Sequence, residues 1–291
     1  MNVSKIKNKI ASEYKINDGE KFNNKKILIH GVLILGSIAM IFPFLWMVLT
    51  SLKTFSEAIK IPVTFIPENF QWDNYVKAWN TLPFATLFYN TIIMMLFRIL
   101  FAIIFSSMAG YAFAKLNFPG KKILFTLVVI QLMLPAQIFI IPQYSIVADL
   151  GWLNTIKALV FPGIVSAFGV FFLRQFYMSL PNELSEAAKI DGCNQWQIFS
   201  KIMLPLTKTP LMALSIFTAV FAWSDLMWPL IVNMSMNKMT LASGLASLSG
   251  QFSTDYPVMM AGAFIAMWPM MIIYLLFQKQ FVEGIALTGG K

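Results

Sequence analysis

The most constraining feature of this sequence is a series of long apolar blocks, each closed by polar turn residues. A helix rises about 1.5 Å per residue, so some 20 residues cross a hydrocarbon core of about 30 Å. Read by length, the blocks predict membrane helices over Ile27–Thr50, Phe88–Ala114, Ile123–Ile141, Ala158–Met178, Leu211–Asn233 and Val258–Gln278. Pro135, Pro142 and Pro162 interrupt the third and fourth. Membrane helices tolerate proline where neighbouring elements satisfy the freed carbonyl, so six spans are kept. The expected fold class is an all-α membrane protein.

Composition supports lipid as the solvent. The chain is 58% hydrophobic and 12% charged, where soluble domains run at about 45–50% and about 25%. The net charge of +9 is dispersed between the apolar blocks rather than gathered in one patch, so no nucleic-acid partner is expected. The single Cys193 excludes an internal disulfide, and no Cys/His cluster suggests a metal. The first block follows the polar segment Met1–Lys26 and is too long for a signal-peptide core, so it should remain in the mature protein. That segment, rich in Lys and Asn, is expected to be cytoplasmic, flexible and drawn to anionic lipid.

Lys and Arg orient the spans. Sixteen of them fall in the N-terminal segment, the second and fourth connections and the C-terminal tail. Only Lys53, Lys60, Lys77, Lys157 and Lys238 lie in the opposite set. Both termini are therefore expected in the cytoplasm. The longest outer segment, 51–87, carries Phe65, Phe70, Trp72, Tyr75 and Trp79 with three prolines. It is either an interfacial aromatic belt or an ordered cap that meets a partner.

The cytoplasmic connection Arg174–Thr209 is far longer than the 2–8 residues that join neighbouring helices. Ser179 can cap a helix, Pro181 suits a first turn, and Glu183 and Glu186 favour the positive end of its dipole. Leu184, Ala187 and Ala188 share a face by spacing. Gly192 is placed to stop this helix in a left-handed conformation. Asn194 can cap a second helix with the stripe Trp196, Phe199 and Met203, ended by Pro205. The small Ala187 and Ala188, between Glu183, Glu186, Lys189 and Asp191, have the profile of a docking knob. The rival reading is an amphipathic helix resting on headgroups, which wants a more basic polar face.

Glu186-Ala187-Ala188, three residues, Gly192, nine residues, Ile202, one residue and Leu204-Pro205 resemble the EAA motif of ABC importer permeases. The resemblance implies that this loop couples to an ATP-hydrolysing subunit through Glu186, Ala187, Ala188, Asp191, Gly192, Ile202, Leu204 and Pro205. Ser51-Leu52-Lys53, Asn74-Tyr75, Trp223-Ser224-Asp225, Trp228-Pro229-Leu230 and the tail Gln278–Gly284 before Gly289-Gly290-Lys291 are similar to the sugar-importer (MalG-type) branch. What that implies is a permease subunit of a type I ABC importer in the bacterial inner membrane. Its expected partners are a second permease, two ATPase subunits that bind ATP and Mg, an extracytoplasmic binding protein, a sugar or oligosaccharide, and lipid. Amino-acid or peptide importers are the nearest alternatives. A secondary transporter would want more intramembrane carboxylates and repeated halves.

No cofactor or catalytic machinery is expected in the chain itself. The one approach to a phosphate loop, Gly284…Gly290-Lys291, has a residue too many and no following Ser or Thr. His30 begins a span. Arg98 and Asp225 are the ionisable residues deepest in the predicted spans. Each either pairs or snorkels, or, for Asp225 with Trp223 and Trp228, lines the translocation path. The small-residue pairs Gly110…Ala114 and Gly262…Ala266 suit a dimer contact or packing within one subunit equally.

Overall fold

The computed structural model describes residues 24–248 and 254–289, with side chains over 28–248 and 254–278. Residues 1–23, the polar N-terminal segment but for its last three positions, lie outside it, as do the side chains of the family-like tail beyond Gln278. The described residues are helical, without strands. They divide into two units, 1–49 and 50–291. The described part of the first is a single helix, α1 (Asn24–Ser51), that runs on to its last residues in the second unit. No residue of its most apolar stretch is buried, and it is apolar all round, as suits a helix in lipid.

The second unit begins with an ordered segment, the one that the charge pattern puts on the outer side. Thr54 caps the short α2 (Phe55–Ala58) by accepting from the Glu57 N–H. The Glu57 side chain is buried, and its Oε1 accepts from Thr64 Oγ1 at 3.3 Å and the Glu68 N–H at 2.9 Å. Lys53, also buried, donates to the Thr64 carbonyl. From α3 (Asp73–Thr81), Asn74 Nδ2 donates to the carbonyls of Ser51 and Lys53 at 2.9 and 2.8 Å. The Tyr75 hydroxyl lies 2.7 Å from Ser51 Oγ. Two stretches far apart in sequence, 51–53 and 74–75, thus hold each other. Phe65, Phe70, Trp72 and Trp79 remain exposed around this polar frame, so the segment is ordered by buried polar groups and keeps its large aromatics on the outside.

α4 (Phe84–Lys115) is the central helix. Its 32 residues extend about 48 Å, well beyond the hydrocarbon core. It packs most extensively against α8 (Ala167–Ser179) and then α11 (Lys208–Ser224). A Cβ on Gly110 would stand 3.0 Å from the Arg174 amide nitrogen, so glycine lets these backbones approach closely. A Cβ on Gly262 would meet Leu245 at 3.0 Å. Both small-residue pairs therefore have neighbours within the chain.

Three predicted spans are not continuous helices. The third breaks into α5 (Lys121–Met133) and a stretch 136–149, a short 3-10 turn followed by α6 (Ile140–Asp149), bent by 108°. Pro135 disfavours helical dihedrals at the residue before it, and Leu134 is extended at φ −90°, ψ 135°. The fourth comprises α7 (Ile156–Val160), a 3-10 turn to Gly163, and α8, bent by 41° and restarted by Ser166, which caps Gly169 at 3.0 Å. The fifth ends early: α11 stops at Ser224, Asp225 is extended, and a separate α12 (Met227–Val232) follows. A connecting α13 (Leu241–Ala246) leads to α14 (Tyr256–Gly289), which contains Pro269 and a kink at Phe277. Among the described residues three helices are long and apolar enough to cross a membrane, and up to six spans result if each bent pair, 121–133 with 136–149, 156–163 with 167–179 and 195–206 with 208–224, counts as one.

Candidate functional site

Two regions carry the residues that the sequence marks. The first is the connection after α8. Ser179 belongs to the last turn of α8, where its Oγ donates to the Phe176 carbonyl at 2.7 Å. Asn182, not Ser179, therefore stands at the start of α9 (Glu183–Ile190). Glu183 and Glu186 occupy the first turn and Lys189 the last, each at the end of the helix dipole that favours it. Gly192 ends the helix at φ +82°. Its N–H donates to the Lys189 carbonyl at 3.0 Å, and the Cys193 N–H donates to Ala188 at 2.9 Å. This paired closure requires a left-handed residue, which glycine adopts without steric cost.

The second helix, α10 (Gln195–Leu206), opens with a reciprocal cap. Asn194 Oδ1 accepts from the Gln197 N–H at 2.9 Å, while Gln197 Oε1 accepts from the Asn194 N–H at 2.8 Å. Its middle, Ile198–Met203, is wound as a π-helix. The bend into α11 comes at the buried Thr207, two residues beyond Pro205. Phe199 and Met203 are buried as the stripe predicts, but Trp196 is exposed.

Leu184, Ala187 and Ala188 lie along one side of α9, as their spacing predicts, but they are not buried alike. Ala188 is buried against α10, whereas Leu184, Glu186 and Ala187 are exposed and Ile190 is 87% exposed. Ile202 and Leu204 are half-buried, and Asp191, Gly192 and Pro205 lie at the surface. The outward set thus combines small, apolar and acidic side chains on one short helix. Sequence reasoning missed what anchors this hairpin to α4. Lys115 Nζ donates to the Leu180 carbonyl at 2.6 Å and to Asn182 Oδ1 at 2.7 Å. The Tyr111 hydroxyl donates to Gln195 Oε1 at 3.2 Å, and its ring stands 5.3 Å from that of Phe199.

The second region joins the breaks in the spans. Arg98 Nη1 donates to Asp225 Oδ2 at 2.8 Å, and the Arg98 side chain is only 9% exposed. Its Nε and Nη2 donate to the Leu159 carbonyl at 2.9 and 2.5 Å. Trp228 Nε1 donates to the adjacent Ala158 carbonyl at 2.8 Å. These carbonyls belong to α7, whose helical ladder stops within a few residues, so side chains supply donors that the backbone lacks. Gly163 makes room: a Cβ there would lie 2.6 Å from Arg98 Cγ. The two deepest ionisable residues are therefore each other's partners.

Trp223 sits apart, half-buried against Phe88 with ring centroids 6.3 Å apart. Asp225 and Trp228 border a cavity of about 340 Å³ at the α5–α6 break, which Trp223 does not line. Among the described residues no group of three His, Cys, Asp or Glu side chains is placed to hold a metal.

Comparison with known proteins follows the same outline. A family model described as the inner membrane component of binding-protein-dependent transport systems matches residues 102–286. The arabinooligosaccharide transport permease AraQ of Halalkalibacterium halodurans is 35% identical, over 86% of this chain and 91% of its own. The sn-glycerol-3-phosphate transport permease UgpE of Pectobacterium atrosepticum is 33% identical, over 89% of this chain and 95% of its own. The lactose transport permease LacG of Rhizobium radiobacter is also 33% identical, over 89% and 94%. A chain in the crystal structure of a bacterial ABC transporter that imports the acidic polysaccharide alginate superposes with a TM-score of 0.75 at 21% identity. The match covers 91% of this chain and all of that one.

Proposed function

Since the chain belongs to the family of binding-protein-dependent transport system inner membrane components, we propose that it is a permease subunit of a carbohydrate ABC importer. It is a multi-pass membrane protein. In this reading a second permease and two ATPase subunits complete the transporter, and an extracytoplasmic binding protein delivers a sugar or oligosaccharide. ATP and Mg are bound by the ATPase subunits, and this chain carries no catalytic group or cofactor. The excess of Lys and Arg in one set of connections supports cytoplasmic termini.

The observation that carries the proposal is the hairpin α9–α10. Its exposed Glu186, Ala187 and Ile190 stand clear of the core, while Ala188, Phe199 and Met203 fasten it to the helices behind. A lever needs both properties. Movement of a docked ATPase would reach α4 through Lys115 and Tyr111, and α11 through the bend at Thr207. Because Asp225 directly follows the end of α11 and α4 carries Arg98, both routes converge on the ion pair at the broken spans. ATP binding then opens a central cavity outward, and hydrolysis returns it inward.

The carbohydrate part rests on the likeness to permeases named for arabinooligosaccharides and lactose. The test is thiol crosslinking from Ala187→Cys in a Cys193→Ser background, in membranes containing the candidate ATPase subunits, together with uptake of labelled arabinooligosaccharide. A crosslink that changes with nucleotide and ATP-dependent sugar uptake are expected. A hairpin that labels freely and never crosslinks in the assembled complex removes the coupling role. Uptake confined to an amino acid or peptide removes the sugar.

A further inference from the structure

The cavity at the α5–α6 break is lined by Gln131, Gln137 and Gln143 as well as by Asp225 and Trp228. The break follows 13 residues of α5, so it lies about 20 Å from that helix's cytoplasmic start, within the depth of the membrane. Primary amides are costly at such depth unless they find partners. None of these three side chains hydrogen-bonds another described residue, and Gln131 and Gln137 are exposed. Each offers two donors and an acceptor to whatever enters. Asp225 adds acceptor capacity: Arg98 takes Oδ2, and Oδ1 accepts no bond among the described residues.

The charge balance is as informative as the amides. No Lys or Arg lines the cavity. The nearby Arg98 already serves Asp225 and the Leu159 carbonyl. A phosphate or carboxylate entering here would meet a carboxylate and no free cation, which opposes it. Neutral hydroxyls would meet donors and acceptors in plenty. The Trp228 ring adds apolar surface with its N–H already spent on Ala158. A volume of about 340 Å³ lies at the lower end of ligand pockets, which run from about 300 to about 1,000 Å³.

We propose that this cavity is a saccharide subsite that takes one uncharged glycosyl unit, binds its hydroxyls through Gln131, Gln137 and Gln143, and rejects phosphate and carboxylate. The proposal rests on the reading of the chain as a carbohydrate importer permease and adds to it the substrate's charge class and the residues that select it.

The test uses the full importer, with its binding protein, in proteoliposomes. Three neutral probes are arabinotriose, lactose and diacetylchitobiose; two anionic ones are sn-glycerol 3-phosphate and an alginate trisaccharide. ATP-dependent uptake of a neutral probe is expected, with uptake of neither anion. The Gln137→Ala/Gln143→Ala variant should lose about tenfold of that uptake at subsaturating sugar, the effect of about 1.4 kcal/mol of binding. Uptake of anions alone, or full uptake by the variant, overturns the subsite and leaves the importer reading intact. No ATP-dependent uptake of any probe overturns both.

Where the double variant fails to assemble with the ATPase subunits, Gln137→Cys in a Cys193→Ser background decides. A cationic water-soluble thiol reagent should modify it in the assembled importer, and the transported neutral probe should slow the reaction. No modification means that lipid or a neighbouring subunit fills the cavity, and a rate unchanged by sugar means that sugar does not enter it. Either overturns the proposal.

Discussion

Arg98 makes three hydrogen bonds to two partners and leaves no room beside Gly163. Removing one partner of such a pair strands the other charge in a poorly solvated site, which costs about 3–5 kcal/mol, whereas replacing both with apolar residues is far milder. Arg98→Leu should therefore lower the thermal stability of the detergent-solubilised complex sharply. Arg98→Leu/Asp225→Leu should recover much of that loss, the coupling being read from a double-mutant cycle. Additive losses would show that the two side chains act separately. Gly163→Ala pushes a methyl group against a side chain pinned at both ends. We expect a cost of about 1–3 kcal/mol, as for other overpacked cores, measured as a lowered unfolding midpoint.

At the scale of elements, the proposed lever is a hairpin of two short helices, and its stiffness would depend on the join. Nothing lies within 4 Å of a Cβ built on Gly192, so a substitution there meets only the strain of φ +82°. Gly192→Asn, which tolerates left-handed backbone, should transport nearly as the parent does. Gly192→Val should lose about 1–2 kcal/mol at that turn and most ATP-coupled uptake. Equal uptake by both would show that the closure is dispensable. Lys115 tests the other attachment. Lys115→Met removes charge-assisted bonds to Leu180 and Asn182, a loss of about 1.5 kcal/mol. It should lower sugar uptake more than it lowers ATPase activity, because the docking face stays intact while its link to α4 loosens. Parallel loss of both activities would place Lys115 in folding instead.

For the whole molecule, orientation would set which face of the proposed importer meets the ATPase subunits and which meets the binding protein. Sixteen Lys and Arg against five should hold both termini in the cytoplasm. Impermeant thiol reagents applied to intact cells should therefore modify a cysteine at Trp72, in the outer segment, but not one at Ala187. Reversed labelling would invert the topology and the proposed function with it. The outer segment has an independent structural cause for its order, since Glu57, Lys53 and Asn74 are buried and bonded to backbone. In the proposed transport cycle it should therefore keep its shape while the helices beside it move.

Apolar length determined that this chain lives in a membrane, charge placement carries the orientation proposed above, and local caps determined that the long connection after α8 is a hairpin. These are local properties, set by transfer energies and by dihedral preferences at residues such as Gly192 and Asn194. The sequence pattern overran at the breaks, because apolar residues continue through 134 and 164 whether or not the helix does. Only the tertiary structure decided that Arg98 and Asp225 meet, that Lys115 anchors the hairpin, that Ala188 faces inward while Ala187 faces outward, and that three glutamines gather beside a broken span. Those pairings join residues up to 127 positions apart. They depend on how helices pack side by side, which no local periodicity encodes.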